Sequence, residues 1–162
     1  MIRGLHHNAY RCRDSEETRR FYEEFLGLPL VNAFEITETK SARQTHVLHS
    51  FYRMDDGSHL AFFEAPESPF DFKVQHDYDL HIALEVGEDV LAPMLAKAKA
   101  AGIEARGVSD HGSIRSVYFR DPNGYVIELT AKTPTHDAEM DPAKNGARDQ
   151  LARWQRDKPR VS

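Results

Sequence analysis

The chain reads nearly the same way twice, and this constrains its fold more than any other feature. An extended-looking segment carrying His7 leads into a helix pattern that stops at Gly27, and three strand-like stretches follow. A second extended segment carrying His81 leads into another helix pattern that stops at Gly102, and strand-like stretches follow again. His7 and His81 are 74 residues apart and Gly27 and Gly102 are 75 apart, so the two halves keep step. Self-similarity at a fixed period means units that bury their apolar faces against one another. The predicted fold is therefore α+β, with two βαβββ modules in succession. The expected division is residues 1–66 for the first module, 67–78 for a linker with acidic residues and a proline, 79–132 for the second module and 133–162 for a C-terminal extension.

Local signals support each unit. Asp14 followed by Glu17 is a capping-box arrangement, and Thr18, Phe21, Tyr22 and Phe25 fall at i, i+3, i+4 and i+7. Gly27 then closes the helix and Pro29 prevents its return. Strands are expected over 30–36, 46–54 and 59–65, the last two joined by a turn at Asp55-Asp56-Gly57. The second module offers a strand over 80–86 and a helix with Val90, Leu91, Met94, Leu95 and Ala98 on its apolar side, in which Pro93 is expected near the first turn. Strands at 103–108, 114–120 and 125–130 follow, the last pair joined by Asp121-Pro122-Asn123-Gly124. In the extension, Ala147, Leu151 and Trp154 share one helical face, which predicts a short helix docked by Trp154. Its cations, Arg148, Arg153, Arg156, Lys158 and Arg160, then form a solvated face.

Several function classes drop out. Net charge is −5, which disfavours a phosphate-backbone partner, so no nucleic acid is expected. No apolar run approaches the ~20 residues of a membrane helix, and residues 1–10 show no secretory pattern, so no membrane partner and a cytoplasmic location are expected. Cys12 is the only cysteine, which excludes an internal disulfide and a cysteine-rich zinc site. Any metal must be held by histidine and carboxylate.

Such residues occur at matching places. The first and last strands of module one carry His7 and Glu64, and those of module two carry His81 and Glu128. Imidazole and carboxylate suit Mn²⁺, Fe²⁺, Co²⁺, Ni²⁺ or Zn²⁺, and two of each leave positions open for a substrate. Singly, a strand histidine is more often an ordinary hydrogen-bonded residue. What singles out Glu128 is its place in Gly124-Tyr125-Val126-Ile127-Glu128-Leu129, where a carboxylate is costly to bury unless paired or metal-bound, and Glu64 after Leu60-Ala61-Phe62-Phe63 poses the same problem. Arg11 shares a strand face with His7 and can hold a substrate anion or close a strand-end ion pair. His59, an odd number of residues from Glu64, is expected to face away from it. His46, His49 and His111 are secondary candidates, His111 because it sits on a glycine-containing loop that can border a pocket.

The stretch from His7 to Leu30, with Arg11, Asp14, Phe21-Tyr22 and Leu26-Gly27-Leu28, resembles the opening of the glyoxalase/bleomycin resistance/dioxygenase proteins, the vicinal oxygen chelate superfamily. His81-Ile82-Ala83-Leu84-Glu85-Val86 and the run from Tyr118 to Glu128 resemble signatures of that family's second module. The resemblance spans roughly residues 4 to 132 and is specific for the superfamily, not for one reaction. It implies a cupped sheet around one divalent first-row metal ion, a small-molecule substrate and a homodimer. The seven-residue spacing from His7 to Asp14 fits the family register and favours His7 over His6. In the glyoxalase I branch the resemblance places ligands at His7, Glu64, His81 and Glu128. In the ring-cleaving dioxygenases it places them at His7, His81 and Glu128 alone, with an active-site tyrosine at Tyr118.

Glu64 thus points to a redox-neutral lyase, isomerase or epimerase in which Glu64 or Glu128 moves a proton beside a metal-polarised carbonyl. The alternatives are an Fe²⁺-dependent ring-cleaving dioxygenase using Tyr118, and a metal-free small-molecule-binding protein like the bleomycin-resistance members.

Overall fold

The order of elements follows from two short rules applied twice: an extended strand entering a helix, then three strands. The computed structural model describes residues 1–38, 41 and 43–159; Arg160 lies outside the described residues. In module one, β1 (His7–Cys12) leads to α1 (Ser15–Arg19), and β2 (Leu30–Glu38), β3 (Gln44–Arg53) and β4 (His59–Glu64) follow. In module two, β5 (His81–Glu85) leads to α2 (Glu88–Ala100), and β6 (Ala105–Asp110), β7 (Ile114–Arg120) and β8 (Val126–Lys132) follow. The two sheets have the same order, β1-β4-β3-β2 and β5-β8-β7-β6, with the first pair in each parallel and the others antiparallel. This is the predicted paired βαβββ architecture.

Asp14 is extended (φ −146°) and its carboxylate accepts from Glu17 N at 2.8 Å, which ties down a free amide of the first helical turn. Beyond Arg19 the helix widens into a π-helical stretch, Arg20–Phe25, with Leu26 N bonding back to Phe21 O at 3.0 Å. Sequence periodicity describes an ordinary α-helix and does not reveal this widening. Thr18, Phe21, Tyr22 and Phe25 are all buried, as their spacing predicted. Pro93 is the sixth residue of α2 and not near its first turn; it is tolerated because it lies on the exposed side, where water can satisfy the carbonyl it leaves without a partner.

One continuous core joins the modules. Cys12, Tyr52, Leu60 and Phe62 from the first sheet meet Ile82, Leu84, Val117, Phe119, Ile127 and Leu129 from the second, with Tyr22, Phe25 and Leu91 of the helical segments between them. Phe25 and Phe119 touch edge to face across the boundary at 5.3 Å. The Asp121 carboxylate, 4% exposed, accepts from Tyr22 Oη at 2.9 Å, Asn123 N at 2.9 Å, Asn123 Nδ2 at 2.9 Å and Tyr125 N at 2.8 Å. The β7–β8 turn is thereby fastened to the helix of module one. Gly124 (φ 98°) in that turn lies against the Lys73 carbonyl, where a Cβ would collide, and the connecting segment is pinned by Gln75 N to Gly124 O at 2.9 Å.

Strand alternation then decides where everything else points. Because the helix-bearing faces of both sheets share the core, the other two faces look outward. On the first sheet the outward set is His7, Ala9 and Arg11 of β1, His59, Ala61 and Phe63 of β4, His49 and Phe51 of β3, and Phe34 of β2. On the second it includes His81 and Ala83 of β5, Glu128 of β8 and Tyr118 of β7.

The C-terminal extension departs from expectation. It contains α3 (His136–Glu139) and α4 (Ala147–Asp157), but α4 is exposed along its whole length, with Trp154 57% and Leu151 60% exposed, so Trp154 does not dock it to the body. Among the described residues no helix is long and apolar enough to cross a membrane.

Candidate metal centre

The second sheet assembles a compact polar pair. His81 stands on the edge strand β5, and its Nδ1 lies 2.8 Å from the Asp77 carbonyl oxygen. A carbonyl only accepts, so Nδ1 carries the ring proton and Nε2 keeps a lone pair. That Nε2 lies 3.5 Å from Oε2 of Glu128, which is 4% exposed and sits beside Ala83 on one neighbouring strand and Tyr118 on the other. Glu128 is buried while His81 is partly exposed, and two electron-pair acceptors facing each other at this distance are suited to holding a cation or a proton between them. The donor set fits a divalent first-row metal ion.

Tyr118 completes this half. Its hydroxyl lies 2.8 Å from His111 Nε2, and the Arg106 guanidinium lies over its ring at 4.0 Å. Burial first, and then the charge of Glu128, push the phenol above its ordinary 10.0. The proton therefore stays on Tyr118, which can donate to Glu128, to His111 or to a bound oxygen. His111 is held by the β6–β7 turn, where its amide bonds Ile114 O at 2.9 Å.

The first sheet offers a different half. His7 stands on the edge strand β1 with its Nδ1 2.7 Å from Nδ1 of His6 and its ring 5.6 Å from that of Phe51. Glu64 is on the opposite face: it pairs with core-facing Cys12, and its Oε2 accepts from Ser15 N at 2.7 Å at the start of α1. The structure thus does not bring Glu64, expected as a ligand or base, together with His7, His81 and Glu128. The apolar surroundings of Glu64 are reconciled by a helix terminus, not a metal. His59, directly across from His7, does face away from Glu64. Arg11 holds the connecting segment, donating to Ala65 O at 3.0 Å and Ser68 O at 2.8 Å with Phe70 5.1 Å from its guanidinium. Burial pushes the Cys12 thiol up to about 11, which leaves it without nucleophilic character.

Matching ladders show what occupies the position equivalent to Glu128. His81 and His7 head the parallel pairs β5–β8 and β1–β4; two residues on, Ala83 faces Glu128 and Ala9 faces Ala61. Module one thus has Ala61 where module two has Glu128. The signal was in the sequence: Ala61 follows the turn glycine Gly57 by four residues, as Glu128 follows Gly124, whereas Glu64 follows by seven. Within one chain, no three His, Cys, Asp or Glu side chains come together around a metal position among the described residues. The expected four-residue convergence inside one chain is corrected accordingly, because the two outward faces diverge from a shared core. A cavity of about 730 Å³ lies elsewhere, between the modules, lined by Leu26, Leu28, Met54, Leu84, Val90 and Met94.

The model of the Glyoxalase/Bleomycin resistance protein/Dioxygenase superfamily matches residues 4–129. The chain belongs to this superfamily. Its members include metal-dependent enzymes of the glyoxalase type and related ones, and both ladders of the vicinal oxygen chelate fold are present here. A probable lactoylglutathione lyase of Vibrio cholerae is 28% identical over 134 residues, covering 80% of this chain and 91% of that protein. A probable chloroplastic lactoylglutathione lyase of Arabidopsis thaliana is 28% identical over 139 residues; the match takes in 82% of this chain but only 37% of that protein's length. Among solved structures, the fosfomycin resistance protein FosX of Listeria monocytogenes, complexed with Mn(II) and sulfate, superposes with a TM-score of 0.62 at 22% identity, covering 85% of this chain and 99% of FosX. A glyoxalase/dioxygenase of Nostoc punctiforme superposes with a TM-score of 0.60 at 25% identity, covering 81% and 92% of the two chains.

Proposed function

We propose that this protein is a divalent-metal-dependent lyase or isomerase of the glyoxalase type, acting on a small molecule with two neighbouring oxygens, and that His7 of one copy and His81 with Glu128 of a second copy hold the ion. The observation that carries the reading is the buried Glu128 carboxylate 3.5 Å from a histidine nitrogen whose ring proton is committed elsewhere. The need for two copies follows from topology. β1 and β5 are both edge strands, each carrying one histidine on an outward face, and an open edge is a template for pairing. Setting β1 of one copy beside β5 of another makes a continuous sheet of eight strands with the two half-sites facing across one cup. A two-fold axis then generates two such cups.

An ion held there would act as a Lewis acid toward a substrate carbonyl. Around it, Asp77 O fixes the tautomer of His81, Glu128 supplies charge, and Tyr118 with His111 forms the path by which a proton reaches or leaves the substrate. Glu64, bonded to Ser15 N, takes no part. The two lactoylglutathione lyases at 28% identity support a lyase. A second reading, an Fe²⁺-dependent ring-cleaving dioxygenase, is favoured by one feature: with Glu64 turned away, the set is two histidines and one carboxylate, with Tyr118 beside it. Turnover that stops without O₂ selects the dioxygenase; turnover indifferent to O₂ selects the lyase or isomerase. Protein purified without chelator that carries no first-row metal removes both readings and leaves the metal-free binder.

The composite site has its own test. His7→Ala and Glu128→Gln each lose tight metal binding, but when the two variants are unfolded together and refolded, mixed dimers regain one intact cup each, about a quarter of the wild-type metal capacity. Recovery of none would place the site within a single chain and refute the two-copy arrangement.

A further inference from the structure

The C-terminal helix and the groove between the modules are both left open by this chain, and their surfaces match. α4 carries Ala147, Leu151 and Trp154 in line at i, i+4 and i+7, and Lys158 continues the line at i+11. Leu151 and Trp154 are 60% and 57% exposed, so the stripe lies in water. The charged residues around it are mostly cations, Arg148, Arg153, Arg156 and Lys158 against Asp149 and Asp157. The cavity of about 730 Å³ between the modules has an apolar floor of Leu26, Leu28, Met54, Val90 and Met94. Its rim is acidic: Asp55, Asp56 and Glu85 line it, with no lysine or arginine among the lining residues. Glu85 is paired with Lys132 at 2.9 Å, whereas Asp55 and Asp56 stand on the exposed β3–β4 turn.

We propose that α4 of one copy docks in the groove of a second copy, and that two copies exchange their helices reciprocally. Two observations choose a second copy over the chain's own helix. Within the chain α4 is exposed along its whole length. The path of the extension also leads away from the groove. At the end of β8 the chain turns toward β7, where Thr133 N donates to Ser113 O at 3.0 Å and Thr133 Oγ1 to Gly112 O at 2.8 Å. Leu84, Glu85 and Val86 border the groove at the end of β5, which lies on the other side of β8. A chain that holds a stripe and a complementary groove, but carries one away from the other, satisfies both by pairing about a two-fold axis. Leu151 and Trp154 then enter the apolar floor, while Arg148 and Lys158 reach the acidic rim, where partial desolvation strengthens the attraction. Neither surface includes a residue of the candidate metal centre, so the exchange does not rest on the proposed function.

Trp154 is the only tryptophan of the chain, so its fluorescence reports the docking. In the full-length protein its emission is expected at the shorter wavelength of a desolvated indole and shielded from iodide quenching. Met94→Arg puts a cation into the groove floor and is expected to shift the emission to the longer wavelength of a solvated indole. Mixing then separates two copies from one. Met94→Arg is unfolded and refolded with a large excess of Trp154→Phe, whose groove is intact and which adds no tryptophan signal. The tryptophan of the Met94→Arg chains is expected to regain the wild-type emission in the mixture, because it finds its partner's groove. Emission that stays at the solvated value, beside a shielded wild type, places the helix on its own chain and overturns the exchange. A solvated Trp154 in the wild type at every concentration overturns the docking altogether, as does a Met94→Arg variant whose tryptophan remains shielded. Should Met94→Arg not fold, Asp55→Lys on the exposed turn removes rim charge without touching the core, and is expected to move the emission in the same direction and to be restored by the same mixing.

Discussion

The two modules have the same strand order and the same ladders, yet their outward faces have diverged. The second carries charge: Glu128 buried beside His81, with Tyr118 and His111 at its edge. The first carries rings: Phe34, Phe51 and Phe63 around His49, with Ala61 where its twin has Glu128. Their turns differ in the same sense. Asp121 of the β7–β8 turn is buried and accepts four hydrogen bonds, whereas Asp56 of the β3–β4 turn is exposed and accepts from Ser58 N and Oγ. A duplicated unit can thus keep its backbone and give one copy a buried carboxylate and the other an aromatic surface.

The strongest way to break this comparison is at Glu128. Glu128→Gln is expected to weaken metal binding by more than the ~10–100-fold that loss of an outer hydrogen-bonding partner costs, because it removes a charged ligand itself. Isothermal titration with Mn²⁺ or Zn²⁺ measures it. Metal affinity unchanged in this variant would mean the buried carboxylate is structural, and the division between the modules would collapse.

The turns give the next largest effect, this time on stability. Asp121→Ala leaves four buried or partly buried donors without their acceptor and is expected to cost about 3 kcal/mol in urea unfolding. Asp56→Ala, in the β3–β4 turn of module one, is expected to leave the unfolding midpoint nearly where it was. Equal losses would show that the β3–β4 turn also ties the modules together, which its contacts do not suggest.

Glu64 separates a ligand from a cap. Since its carboxylate accepts from Ser15 N at the start of α1, Glu64→Ala is expected to cost about 1 kcal/mol of stability and nothing in metal stoichiometry. Loss of metal from Glu64→Ala would restore the four-ligand reading and move module one back toward its twin.

How far the sequence reached is clearest at these residues. The repeat, the strand order and the Asp14 cap were legible because they rest on local patterns: glycines that end helices, apolar stripes and short turns. Glu64 misled because an apolar flank shows that a carboxylate needs a partner without showing which one, and its partner is an amide 49 residues away in the chain. Counting from the turn glycines would have paired Ala61 with Glu128. Arg11 shares a face with His7, as alternation requires, but its hold on Ala65 O and Ser68 O depends on how the connecting segment folds back. The divergence of the two outward faces was not legible at all, because it is set by which faces share the core. Trp154 failed for a related reason: an amphipathic stripe predicts that a helix has something to bury, not that the surface covering it belongs to the same chain.

The smallest effect is a pH dependence, and it sharpens the contrast between the turns. Burial pushes the Asp121 carboxyl above its ordinary 3.8, against the pull of its four donors. Hydrogen bonds to Ser58 hold the Asp56 carboxyl below 3.8. The signs are opposite. For Asp121 the folded state binds its proton more tightly, so its contribution is fully present below 3.8 and is lost as pH rises through the raised value. For Asp56 the contribution is present above 3.8 and is lost as pH falls through the lowered value. Taken as the difference in stability between wild type and Asp121→Asn, the wild type should gain relative to the variant as pH falls from neutrality toward 3.8. The difference for Asp56→Asn should stay flat over that span and fall only below it. A slope of the other sign for Asp121 would mean that its four donors outweigh burial and that the turn holds a carboxylate more comfortably than its surroundings imply.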